Sequence, residues 1–241
     1  MIRILFFTTF LSLFSTFSFS QIVSGKKTQK PKRDLSSNTN DTLKKAYLLL
    51  SYNNGISFRE MSITEKIVKK QEQLNAETKM PVSNFELSFK SEINKHFYYH
   101  IGIGTQKYGE KYDFVGDTSI SYTTTYSNLA IPLKLSVQTG TKLNLFASTG
   151  IQAQMLVKYR KYETTIIGNN ETEVIYKKST NISPFTLAST SSIGVQYNLD
   201  IVSFSLAGEY IRQLTSTFDS QKGIVHKPYF YGVKLSIGFR I

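Results

Sequence analysis

Hydrolytic or metal chemistry needs histidines and carboxylates at spacings that bring them together, and this chain has little of either. It contains three histidines and no cysteine. His96, His100 and His226 stand in no metal-ligand spacing such as His-Glu-x-x-His, so no metal site is expected. A hydrolase acting on lipid would have to assemble His100, a neighbouring serine and Glu92 or Glu209 near a rim. Serines are so abundant that such a grouping carries little weight, and neither catalytic residues nor a cofactor are expected. His96 falls at a turn and His226 in a long linker, where both read as solvated. Gly102-Ile103-Gly104 sits on a strand with no helix after it, so it is not a nucleotide loop. The polar residues that do form a pattern are Glu86, Lys90, Glu92, His100, Lys134, Lys158, Glu209, Lys234 and Arg240. Each lies on the polar side of an alternating segment.

Alternation with period 2 marks a strand with one apolar face, and it dominates the chain from Ala46 onward. It is clearest at the end. Tyr229, Tyr231, Val233, Leu235, Ile237, Phe239 and Ile241 share one face; Phe230, Gly232, Lys234, Ser236, Gly238 and Arg240 share the other. The odd-numbered residues from Leu143 to Tyr159 repeat the pattern against Asn, Ser, Gly, Gln and Lys. Eight strands are expected, at about 46–58, 84–93, 96–108, 122–138, 143–161, 180–198, 201–214 and 228–241. Each is long enough for the ~9–11 residues that a tilted strand needs to cross a membrane. Pro132 falls on the polar face of the fourth, where its missing N–H predicts a local bulge.

The connections alternate as well. Asn94-Lys95, Thr139 to Lys142 and Leu199-Asp200 are tight turns, whereas 59–83, 109–121, 162–179 and 215–227 read as long linkers. Short and long in strict succession is the topology of an all-β, eight-stranded antiparallel transmembrane β-barrel with short periplasmic turns and longer external loops. In the first linker, Ile63, Ile67 and Leu74 have helical spacing behind a Ser62/Glu65 capping box, which leaves a short helix and a plain loop as even alternatives. The third, with Gly168-Asn169-Asn170, reads as an extended hairpin tip.

Alternation does not say which face is inside, since a soluble lipid-binding barrel alternates too. The polar faces are rich in Gly, Ser, Thr, Asn and Gln rather than Lys and Glu, and most charges lie in linkers. Tyr and Phe cluster toward strand ends at Phe97, Tyr99, Tyr159, Tyr197, Tyr229, Tyr231 and Phe239, as in interfacial girdles. The apolar face is therefore expected on lipid. The polar set then fills the interior, with Glu86, Glu92 and Glu209 paired to the surrounding cations.

The first twenty residues read as a secretory signal: Arg3, an apolar run from Ile4 to Phe19, and Ser18-Phe19-Ser20 before cleavage at Gln21. Residues 21–45 read as a basic disordered periplasmic tail, and 46–241 as the barrel. The chain's formal charge of +12 is matched to anionic outer-membrane lipid and lipopolysaccharide rather than to nucleic acid, given the export signal.

The segment Leu129-Ala130-Ile131-Pro132-Leu133-Lys134-Leu135, with the closing Tyr231 to Ile241 and a hydrophobic signal ending before Gln21, resembles the PorT-like outer-membrane β-barrels of Bacteroidetes. The resemblance spans about 46–241 and implies an outer-membrane location without known catalysis. Where such barrels end on an aromatic, this sequence ends on Ile241 with Phe239 on the same face. The expected function is a non-enzymatic, monomeric outer-membrane barrel of structural or accessory type. It would bind envelope or secretion proteins through its loops. A narrow pore, a barrel hydrolase and a soluble periplasmic lipid carrier are the alternatives.

Overall fold

In the computed structural model, residues 45–63, 77–114, 118–167, 170–177, 181–218 and 224–241 are described. The proposed signal, most of the tail, most of the possible helix at 62–74 and the tip residues Gly168-Asn169 lie outside them. The described residues form nine antiparallel strands: β1 (Ala46–Ile63), β2 (Glu77–Glu92), β3 (Phe97–Phe114), β4 (Thr118–Gly140), β5 (Leu143–Ile167), β6 (Asn170–Tyr176), β7 (Phe185–Asn198), β8 (Val202–Gln213) and β9 (Ile224–Arg240). Eight of them close a ring. β1 to β5 pair in succession, the lower part of β5 pairs with β7, β7 with β8, β8 with β9, and β9 returns to β1. The closure of β9 on β1 runs without a slip from Tyr47↔Arg240 to Ile63↔Ile224. β6 is a short ninth strand that pairs with the upper part of β5.

Three tight connections and the ends at Ala46 and Ile241 gather at one end of the barrel, here called the turn end. At the β4–β5 turn, Gly140 has φ +109°, the left-handed region that other residues adopt at a cost. The opposite, loop end differs from expectation. The linkers are shorter and the strands longer, because β1, β3, β4 and β5 continue well past their alternating stretches and β9 starts at Ile224. Segments such as Thr118–Tyr126 are polar on both faces yet rich in Thr and Tyr. Such residues suit a pleated ladder in water, where no alternation is required.

An irregularity in the β4–β5 ladder re-aims side chains. Between β4 and β5 the register shifts by one, from Ser127↔Lys158 to Asn128↔Leu156, so that β5 carries an extra residue at Val157. A one-residue slip swaps the faces. Tyr159 turns inward, with its ring 5.5 Å from that of Tyr126, and Lys158 turns outward and is exposed. Both reverse the simple alternation of 143–161. Pro132, by contrast, produces no bulge. It is buried and stays in register with Gln152. The β3–β4 ladder is merely interrupted between Ile101↔Leu133 and Gly104↔Ala130, with the same register on both sides. The missing donor costs a rung, and the neighbouring rungs hold the alignment.

The faces settle the orientation. Outward positions toward the turn end are mostly Leu, Ile, Val, Phe and Tyr, with Ala147, Thr149, Ala153 and Ser191 among them. Leu50, Phe85, Leu135, Leu145, Ile193, Leu235 and Phe239 are all between 49% and 72% exposed. Inward positions at the same level are mostly Ser, Asn, Gln, Lys and Glu, among them Ser51, Asn53, Lys90, Lys134, Gln152 and Glu209, all buried. A water-soluble carrier needs the reverse arrangement. An apolar girdle of this extent is a surface for lipid. Among the described residues no helix is long and apolar enough to cross a membrane; this chain crosses with strands.

Candidate functional site: the filled interior

The inward residues of the eight strands stack in layers. At the turn end, Lys90 of β2 donates to the side-chain oxygens of Gln138 and Gln196, each at 2.8 Å. Its ammonium also faces the Tyr98 ring, 4.7 Å from the centroid, and the Tyr47 ring at 6.0 Å. Among the described residues no carboxylate contacts it. Amide oxygens and aromatic faces disperse its charge instead.

The middle layer is a four-membered ion-pair ring. Lys134 Nζ lies 2.8 Å from Glu86 Oε2 and 3.1 Å from Glu209 Oε1; Lys234 Nζ lies 2.9 Å and 3.4 Å from the same two atoms. The four side chains come from β2, β4, β8 and β9, so the ring ties opposite walls together. Asn53 donates to the second oxygen of Glu209, and Thr190 to the first. Two charges of each sign cancel, which offsets the cost of desolvating them. His100 faces this layer and bonds Ser136 through Nε2 at 2.8 Å.

Above it lies an apolar and aromatic layer. Val82, Tyr108, Tyr126, Ala188, Ile211 and Phe230 are buried together, with Met80, Leu156, Tyr159 and Ile182 against them. The Phe230 ring fits because Gly55 and Gly232 lie beneath it; a Cβ on Gly232 would come within 2.6 Å of the ring. Tyr108 accepts a bond from Gln154 at 2.8 Å, which satisfies its buried hydroxyl. Between these layers remain cavities of about 20 and 40 Å³, room for single waters.

Highest of all, His226 is fully buried and lies 3.1 Å from Glu110 through Nε2, with Arg59 Nε also 3.1 Å from the same Glu110 oxygen. The rings of Phe218 and Tyr126 pack on the imidazole. Residues 181–184 and 214–218 close over this end: Ser183 N donates to Thr217 O and Thr217 N to His226 O, and Ile182 bridges to Phe218.

Of the nine residues expected to form one interior network, the structure brings Glu86, Lys134, Glu209 and Lys234 into direct contact. Lys90 and His100 are interior neighbours with uncharged partners. Three depart. Lys158 faces outward because of the Val157 bulge. Arg240 has inward phase but stands at the turn-end rim and is exposed. Glu92 is half-buried at the same rim, where its carboxylate accepts from the Lys45 backbone N–H at 3.3 Å. Being inside therefore depends on height as well as phase. The group around His226 was missed, since 215–227 reads as a linker. Its signal is the β9 phase carried back in steps of two from Phe230 through Pro228 to His226. Among the described residues, no cluster of three or more His, Asp or Glu could hold a metal.

The fold and the two faces define a transmembrane eight-stranded β-barrel with an occupied interior. No protein-family model and no curated relative matches the sequence. Several solved structures resemble it. The outer-membrane protein OprG from Pseudomonas aeruginosa aligns at 10% identity over 82% of this chain and 95% of its own, with a TM-score of 0.46. The N-terminal β-barrel domain of OprF from the same organism aligns at 10% identity over 81% and 97%, with a TM-score of 0.40. The outer-membrane protease OmpT from Escherichia coli aligns at 10% identity over 82% and 96%, with a TM-score of 0.42. The strand pairings above, rather than these distant likenesses, carry the fold assignment.

Proposed function

We propose that this is an outer-membrane barrel of structural or accessory type that works through its loop end and does not conduct solutes. The observation that carries this reading is the interior: the Lys90 layer, an ion-pair ring and an aromatic layer stacked across the barrel, with cavities of about 20 and 40 Å³ between them. On this reading the turn end faces the periplasm and the first twenty residues are an export signal. Residues 21–45 are then a periplasmic leader, and the loop end faces outward. The resemblance of 129–135 and 231–241 to PorT-like barrels is consistent with a partner in the cell envelope. A hydrolase is less well supported, because His100 bonds Ser136 inside the barrel rather than at a rim. The test is planar-bilayer recording of the purified chain. No unitary conductance above background is expected. A stable open channel would replace this reading with the pore.

A further inference from the structure

The outward cations of the barrel are not scattered. Following the ring strands from the lipid-facing girdle toward the loop end, the first outward charge is Lys79 on β2, Lys107 on β3, Lys158 and then Arg160 on β5, Arg212 on β8 and Lys227 on β9, while β4 and β7 present none. Among the described residues of the ring strands, β1 alone presents an acid as its first outward charge, Glu60, which is paired with Arg212 at 2.6 Å. Lys158 belongs to this set because the Val157 bulge turns it out of the interior. Several of the cations sit beside interfacial tyrosines: Lys79 donates to the Tyr231 hydroxyl at 3.0 Å, and Arg160 to that of Tyr162 at 3.4 Å. The other border of the girdle is different. It ends on Ile93, Phe97, Leu143, Ile201 and Ile241, all exposed and apolar, with cations in the turns at Lys95 and Lys142 and at the two chain-end positions Lys45 and Arg240.

We infer that this collar docks the phosphate groups of lipid A in the outer leaflet, with the girdle below it receiving the acyl chains. The partner's chemistry follows from continuity. On β2, β3, β5, β8 and β9 the cations follow the apolar girdle directly along the same outer face, so a molecule that meets both must carry an anionic head on acyl chains. Lysine and arginine supply donors for phosphate oxygens, and cations at a membrane surface favour anionic headgroups. The collar faces the outer leaflet only if the loop end faces outward, so this inference rests on the outer-membrane reading above.

The test uses the full chain in phosphatidylcholine nanodiscs. These are doped with lipid A bearing both phosphates, with dephosphorylated lipid A, or with phosphatidylglycerol. Retained lipid is counted by native mass spectrometry. Bisphosphorylated lipid A is expected to be retained well above the other two. The triple variant Lys79→Gln/Lys158→Gln/Arg160→Gln should lose about five-fold per cation removed. The control Lys95→Gln/Lys142→Gln, at the opposite border, should retain it fully. Equal retention of the three lipids, or of lipid A by the triple variant, would overturn the collar. Heat-modifiable migration in gels monitors the barrel separately. Its absence in the unmodified chain would overturn the outer-membrane reading itself, and its loss in the triple variant alone shifts the comparison to the single substitutions Lys158→Gln and Arg160→Gln.

Discussion

The barrel fills its middle in two ways within a few residues of the same strands. On β9, Lys234 reaches into the ion-pair ring, and four residues earlier Phe230 lies in the aromatic layer. On β8, Glu209 and Ile211 make the same division. The ring is held by charge balance and depends on having every partner; the aromatic layer is held by shape and depends on volume. The two layers should therefore fail differently. A lost charge leaves others unpaired across the barrel, whereas a lost ring leaves a local void.

The largest expected effect is in the ring. Glu209→Leu leaves Lys134 and Lys234 to share Glu86, and should cost about 3–5 kcal/mol. Urea titration in detergent micelles, followed by gel migration, would measure it. Adding Lys134→Met restores the charge balance, so the double variant should recover much of the loss. A double variant as unstable as the sum of the two singles would show that the ring is not a unit.

Phe230→Ala should cost about 3 kcal/mol by cavity formation, and no charge substitution should rescue it. In the same titration, a value near zero would mean that the aromatic layer contributes little. A smaller effect tests the fit from the other side. Gly232→Ala drives a methyl against the Asn54 carbonyl and the Phe230 ring and should cost about 1–3 kcal/mol. Gly208→Ala points outward, where nothing lies within 4 Å, and should be silent. Equal effects would contradict the assigned faces. Smallest is Lys158→Gln, with no measurable change in stability. A loss like that of Lys134→Gln would put Lys158 back inside the barrel.

Much of this was legible in the sequence, and the rest failed for identifiable reasons. Period-2 patterning depends on two different solvents, lipid outside and a polar interior. It is strong from Tyr229 to Ile241 and absent from Thr118 to Tyr126, where water bathes the outer face and strand propensity alone extends the ladder. Glu86, Lys134, Glu209 and Lys234 could be assigned inward by phase, since each lies in an unbroken alternating stretch. Lys158 could not, because one extra residue at Val157 inverts the faces with no Gly or Pro to announce it. Arg240 and Glu92 have the right phase but lie at the rim, and height along the axis depends on neighbouring strands. His226 was hidden because its strand begins before the alternation becomes apolar.

The central claim is that the apolar face meets lipid and the charged face is sealed inside. The chain has no cysteine, so single cysteines at Val233, Leu235, Ser236 and Ile237 can each carry a spin label in bilayers without background. Collision rates with oxygen, which concentrates in lipid, and with a water-soluble nickel chelate should separate the faces. High oxygen and low nickel accessibility are expected at positions 233, 235 and 237, and neither at 236. High nickel accessibility at 233, 235 and 237 would contradict the account.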